Sequence, residues 1–167
     1  MKRAGKVIVF LAAAAIVTVA GLAFTHREDA PEVQFATLAG QRFATSDLRG
    51  KVVLVNFWAT SCVTCVHEMP MLIETYKKFA PRGYEMVAVA MSYDHPNLVA
   101  DYAQKNALPF KVALDFDGSL AKEWGNVRVT PTTYVVDRRG RIIKQFFGEP
   151  SVAELHALLD KALADPA

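Results

Sequence analysis

Two runs of this chain are apolar at nearly every position rather than at alternate ones. Lys51 to Ala59 (KVVLVNFWA) and Tyr84 to Met91 (YEMVAVAM) carry β-branched residues with almost no polar face, the pattern of strands covered on both sides. Between them the period lengthens. From Cys65 through Phe79, the residues Met69, Leu72, Ile73, Tyr76 and Phe79 recur at spacings of three and four, which predicts an amphipathic helix ended by Pro81 and Gly83. Upstream, Glu32 to Leu38 alternates weakly through Val33 and Phe35 and reads as an edge strand, followed by a turn at Asp47-Leu48-Arg49-Gly50. Downstream, Pro96 to Asn106 reads as a helix and Phe110 to Leu114 as a short strand, and Asp117-Gly118 turns into a short helix ending near Gly125. Thr133 to Asp137 and Arg141 to Phe147 form a hairpin across Arg138-Arg139-Gly140. Ser151 caps a last helix to Ala164, with Leu155, Leu158, Leu159 and Leu163 on one stripe. Strand, helix, strand, helix, hairpin and helix make an α/β domain around a mixed sheet.

The first residues follow a different pattern. Lys2, Arg3 and Lys6 precede Val7 to Phe24, eighteen residues without a charge. At helical rise such a run spans roughly 27 Å, close to the hydrocarbon thickness of a bilayer. Two readings stay open: an uncleaved membrane anchor, or a signal peptide cleaved beside Gly21-Leu22-Ala23. No cysteine follows the run to serve as a lipoprotein anchor. Either way the positive flank stays cytoplasmic and the remainder is exported. The expected organisation is therefore an anchor or signal segment over 1–25, a polar linker over 26–31 (HREDAP) and one domain over 32–167.

A chain of 167 residues with 52% hydrophobic residues can bury an ordinary core without disulfide staples. Its net charge is +2, and setting aside the three N-terminal cations leaves 16 Lys and Arg against 17 acids. A near-neutral domain with no basic stripe gives no footing for nucleic acid. No glycine-rich phosphate loop follows any strand.

The chain has two cysteines, and both lie in FWATSCVTCVHEMP, Phe57 to Pro70. Cys62 falls where the central strand ends and the helix begins, facing free backbone N–H groups and the positive end of the helix dipole. Both favour a thiolate and suit a nucleophile in thiol–disulfide exchange. Cys65, one turn inside, is expected to be buried and to resolve the mixed disulfide. A zinc site needs four ligands where this motif supplies two, and His67 lies about 200° around the helix from Cys65. Covalent haem attachment wants His where Val66 stands. A purely structural disulfide closing so small a loop would constrain the unfolded chain little. A redox pair is favoured over the structural disulfide and the metal site. Pro70 is expected to kink the helix, and in Val129-Thr130-Pro131-Thr132 the proline reads either as an ordinary strand-start residue or as a cis peptide that leaves the Thr130 backbone open to a substrate strand.

Together VNFWATSCVTC (Val55 to Cys65), Glu68, Pro70 and VTPTTYVVDRRGRI (Val129 to Ile142) resemble the thioredoxin superfamily, in its exported TlpA/ResA-like branch of thiol–disulfide oxidoreductases. The resemblance covers about Val33 to Leu163. It implies a thioredoxin fold with N-terminal extension strands and a helix–strand segment inserted within about Asp94 to Trp124. It also implies catalytic roles for Cys62 as attacking and Cys65 as resolving thiol, with substrate held at Thr130 and Pro131. Asn56 stands where thioredoxins place a buried Asp, and the resemblance gives the resolving cysteine's proton to Glu68 instead. Trp58 is expected beside the pair, contributing to substrate binding. Ser61 and Thr64 depart from the Trp and Pro common in the motif, and thereby leave the direction of electron flow open.

The function expected is a membrane-tethered reductase of disulfides in exported proteins, such as apocytochrome c or a copper-site assembly protein. It would lie on the periplasmic side of the bacterial inner membrane, or be soluble in the periplasm if cleaved. Electrons would come from a membrane thiol carrier of the DsbD or CcdA type, with the redox-active disulfide as the only redox group and no metal or other cofactor. An oxidase or isomerase of the same fold, or a non-catalytic copper- or haem-delivery module, are the alternatives. A peroxidase fits poorly, because Ala59 stands where its Thr or Ser should precede the reactive cysteine. Tyr93, Met91 and Phe110 are candidates for the substrate groove or for core.

Overall fold

The run Val52–Trp58 is buried at every position, and the reason is its place in the sheet. The computed structural model describes residues 28–165. In chain order the elements are β1 (Gln34–Ala36), β2 (Arg42–Ala44), β3 (Val52–Trp58), α1 (Val63–Phe79), β4 (Tyr84–Ala90), α2 (Pro96–Lys105), β5 (Lys111–Leu114), α3 (Ser119–Glu123), β6 (Thr132–Val136), β7 (Ile142–Phe147) and α4 (Val152–Ala164). A five-stranded sheet runs β5-β4-β3-β6-β7. β3 is its centre, parallel to β4 and antiparallel to β6, while β4 and β5 are parallel and β6 and β7 antiparallel.

Strand alternation sorts β3 into two cores. Val52, Leu54 and Trp58 face α1 and α4 and pack in a cluster with Met69, Leu72, Phe79, Leu155 and Leu159. Val53, Val55 and Phe57 face the other way, toward Phe35, Leu120, Trp124 and Tyr134. Asn56, in phase with Leu54 and Trp58, therefore points its amide into the α1 side.

The N-terminal extension is a two-stranded ribbon, β1 with β2, where one edge strand was expected. β2 is three residues long and only one of them is buried, too little signal for a strand to be read from sequence. The turn expected at Asp47 to Gly50 is a 3-10 turn over Thr45–Leu48. The insertion after β4 is α2 and β5, and β5 extends the sheet by one parallel strand. The expected anchor lies outside the described residues, and no helix among the described residues is long and apolar enough to cross a membrane. The described part of the expected linker is docked. Ile142 N–H donates to the Glu28 carbonyl and Ala30 N–H to that of Gly140, both at 2.8 Å.

α3 is short and depends on a carboxylate beneath it. Asp115, 1% exposed, accepts from the N–H groups of Leu120 and Ala121 at 3.0 Å each. Asp115→Ala would leave both donors unpaired and is expected to cost about 1–3 kcal/mol in urea unfolding. A loss below about 0.5 kcal/mol would contradict that assignment.

Candidate active site

At the end of β3 the chain turns once before entering α1. Cys62 N–H donates to the Ala59 carbonyl at 3.1 Å, and Val66 N–H donates back to that of Cys62 at 3.0 Å. Cys62 is the residue capping α1, in extended backbone conformation, and its Sγ accepts from the Cys65 N–H at 3.2 Å. The cap atom is thus a sulfur placed on the positive end of a 17-residue helix. α1 continues as one helix past Pro70.

Cys62 and Cys65 are joined as a disulfide, their Cα atoms 5.2 Å apart. Their settings differ. Cys65 is fully buried in the α1-side core, whereas Cys62 is only partly covered. The loop before β6 comes up against Cys62. The Thr130–Pro131 peptide is cis, and the Thr130 carbonyl oxygen lies 3.5 Å from Cys62 Sγ. Thr132 Oγ1, donating to the Val129 carbonyl at 2.7 Å, and Gly148 N–H, donating to that of Pro131 at 2.9 Å, tie this loop down.

One turn beyond Cys65 sits Glu68, with no exposed surface. Asn56 Nδ2 donates to Glu68 Oε1 and to Thr133 Oγ1, each at 2.9 Å. Glu68 Oε2 and Asn56 Oδ1 are buried with no hydrogen-bond partner among the described residues. Burial pushes the Glu68 carboxyl up to about 7; the Asn56 hydrogen bond lowers it in part, and the negative charge of Glu149 adds to the rise. Glu149 itself meets His67 Nδ1 at 2.9 Å on the surface. One helical turn from Cys65 the fold thus holds a carboxyl able to take or release a proton near neutral pH. Among the described residues, no group of three or more His, Cys, Asp or Glu side chains is set to hold a metal ion.

The Redoxin family matches residues 26–159. The chain belongs to that family. It is 32% identical over 135 residues to the thiol–disulfide oxidoreductase ResA of Bacillus thuringiensis subsp. konkukian, covering 80% of this chain and 76% of the relative. With the ResA of Bacillus subtilis it shares 32% over 128 residues, 77% of this chain and 70% of that one. Among solved structures, a thioredoxin-family thiol:disulfide interchange protein from Chlorobium tepidum superposes with a TM-score of 0.76. That pair is 26% identical, over 84% of this chain and 99% of the other. This chain is a ResA-like thiol–disulfide oxidoreductase with the pair Cys62–Cys65.

In this Redoxin-family fold, Cys62, Cys65, Glu68, Thr130 and Pro131 are brought to one end of the sheet. Trp58 corrects the expectation of substrate contact: it is 0% exposed, tilted at 54° against Tyr102 with ring centroids 5.2 Å apart, and serves as wall rather than as surface. Met91 and Phe110 are core, whereas Tyr93 is 64% exposed with its hydroxyl 3.4 Å from Thr130 Oγ1. Sequence reading passed over Asp94 and the Asn56–Thr133 contact. Asn56 lay in phase with the helix-facing residues of β3, a signal that was available. Asp94 had none.

A carboxyl whose proton affinity is raised on folding adds stability that is complete below its unfolded value near 4.5 and lost as pH rises through about 7. Glu68→Gln removes that loss. The melting temperature of Glu68→Gln relative to the natural protein is expected to improve between pH 5 and pH 8, by up to about 3 kcal/mol in stability. Parallel pH profiles for the two proteins would show that Glu68 is not held near neutrality.

Proposed function

We propose that the protein is an exported, membrane-tethered reductase of disulfides in other exported proteins. The observation that carries this reading is the unequal setting of the two sulfurs, one partly covered at a helix N-terminus and one fully buried one turn before the Glu68 carboxyl. In the proposed reaction the Cys62 thiolate attacks one sulfur of a substrate disulfide. The substrate S–S bond breaks, its second sulfur leaves as a thiolate and is protonated, and a mixed disulfide forms. Substrate backbone beside Cys62 would pair with Thr130 across the Pro131 loop. Cys65 then gives its proton to Glu68 and attacks Cys62 Sγ, and the second substrate thiol leaves. Two electrons pass to the substrate and the enzyme is left as the disulfide.

A membrane thiol carrier of the DsbD or CcdA type would return the two electrons. Specific reduction is the task that needs an enzyme in an oxidising compartment, since disulfides form there readily. Apocytochrome c and copper-site assembly proteins are the substrates this reading favours. The periplasmic side of the inner membrane is its place, or the soluble periplasm if the leader is removed. The relatives' name, thiol–disulfide oxidoreductase, supports the chemistry.

The test is the Cys62–Cys65 reduction potential of the full-length protein in glutathione or dithiothreitol buffers. A value near thioredoxin's, about −270 mV, is expected of a dedicated reductase. A value near about −120 mV would make the protein an oxidant and overturn the reading.

A further inference from the structure

The chain leaving β4 is hydrogen-bonded to the end of β3 and reaches two of the segments around Cys62. Met91 N–H donates to the Trp58 carbonyl at 3.0 Å, and Asp94 N–H closes the turn on the Met91 carbonyl at 2.9 Å. The Asp94 side chain, in a residue 7% exposed, grips Thr60 at two points. Oδ2 accepts the Thr60 N–H at 2.5 Å and Oδ1 accepts the Thr60 hydroxyl at 2.6 Å. Thr60 is two residues before Cys62, inside the single turn that carries the sulfur. Tyr93, in the same turn, brings its hydroxyl to 3.4 Å from Thr130 Oγ1, and the carbonyl oxygen of Thr130 lies 3.5 Å from Cys62 Sγ.

We propose that the Met91–Asp94 turn is a clamp that positions Cys62, Asp94 fixing the strand-to-helix turn that carries it and Tyr93 fixing the cis-proline loop that faces it. Asp94 acts through Thr60, two residues before Cys62 in the chain, and Tyr93 acts through Thr130, whose carbonyl oxygen lies beside Cys62 Sγ. Two charge-assisted bonds from one buried carboxylate to one residue leave that residue little freedom, and hydrogen bonds of this kind are the stronger ones. Because Asp94 leads directly into α2, the inserted segment is mechanically tied to the active-site turn. The clamp rests on the reading of Cys62 as the attacking thiol.

The test compares full-length variants in the reduced state. Thr60→Val keeps the side-chain volume and the Asp94 charge but deletes the hydroxyl bond. The rate at which Cys62 forms a mixed disulfide with a peptide disulfide is expected to fall roughly fivefold, the rate equivalent of one hydrogen bond. The pH midpoint of Cys62 alkylation should rise with it, as the sulfur loses its alignment on the helix N-terminus. Thr60→Ser retains the hydroxyl and should stay within about twofold of the natural protein. Tyr93→Phe, on a ring that is 64% exposed, should slow the same step and keeps the proposal open to refutation if Thr60→Val fails to fold. Variants that lose melting temperature yet match the natural protein in both rate and midpoint would reduce Asp94 to an anchor for α2. Alkylation of Cys65 ahead of Cys62 in the natural protein would instead overturn the underlying reading of Cys62.

Discussion

The site depends on how firmly the end of β3 is held. β3 is bonded along its length to β4 on one side and β6 on the other, with Trp58 opposite Ala90 and Phe57 opposite Thr132. That register brings three chain segments to one end of the sheet: the turn into α1 with Cys62, the turn leaving β4 with Tyr93 and Asp94, and the Val129–Pro131 loop entering β6. A slip of one residue in either pairing would exchange the two faces of a strand and take Asn56 away from Glu68. The buried, two-sided packing of β3 is what makes such a slip costly.

The chemistry follows from placing polar groups on the inward face of that same strand. Asn56 occupies a position otherwise filled by Leu54 and Trp58, and its amide would be a liability without partners. It donates to both Glu68 and Thr133. Glu68 in turn gains, among the described residues, one hydrogen bond against the desolvation of a fully buried carboxyl, which holds its proton up to about pH 7. A carboxyl poised in this way is of no use to a static core but fits a step in which a neighbouring thiol must lose and regain a proton.

Much of this was legible in the sequence. The unbroken apolar runs marked β3 and β4, the period of three and four marked α1, and a cysteine at the junction between strand and helix carried its own electrostatic argument. The alternation of β3 also put Asn56 on the helix side, and Glu68 falls three residues after Cys65 and four before Leu72, on the buried stripe. What stayed hidden was long-range and polar. Asp94 reaches Thr60 across 34 positions of sequence, and nothing local distinguishes it from a solvated turn residue. Trp58 was misread because a strand buried on both faces gives no sign of which side chains open to solvent. The pairing of Glu28 and Ala30 with the hairpin was invisible for a similar reason: backbone bonds to partners more than a hundred residues away leave no trace in side-chain character.

The asymmetry between the two sulfurs is the claim on which the rest stands, and alkylation mapping tests it most directly. The full-length protein, freshly reduced and given a brief pulse of iodoacetamide near neutral pH, should carry the label on Cys62 with Cys65 unmodified. Equal labelling, or labelling of Cys65 first, would contradict the division into a partly accessible attacking thiol and a buried resolving one.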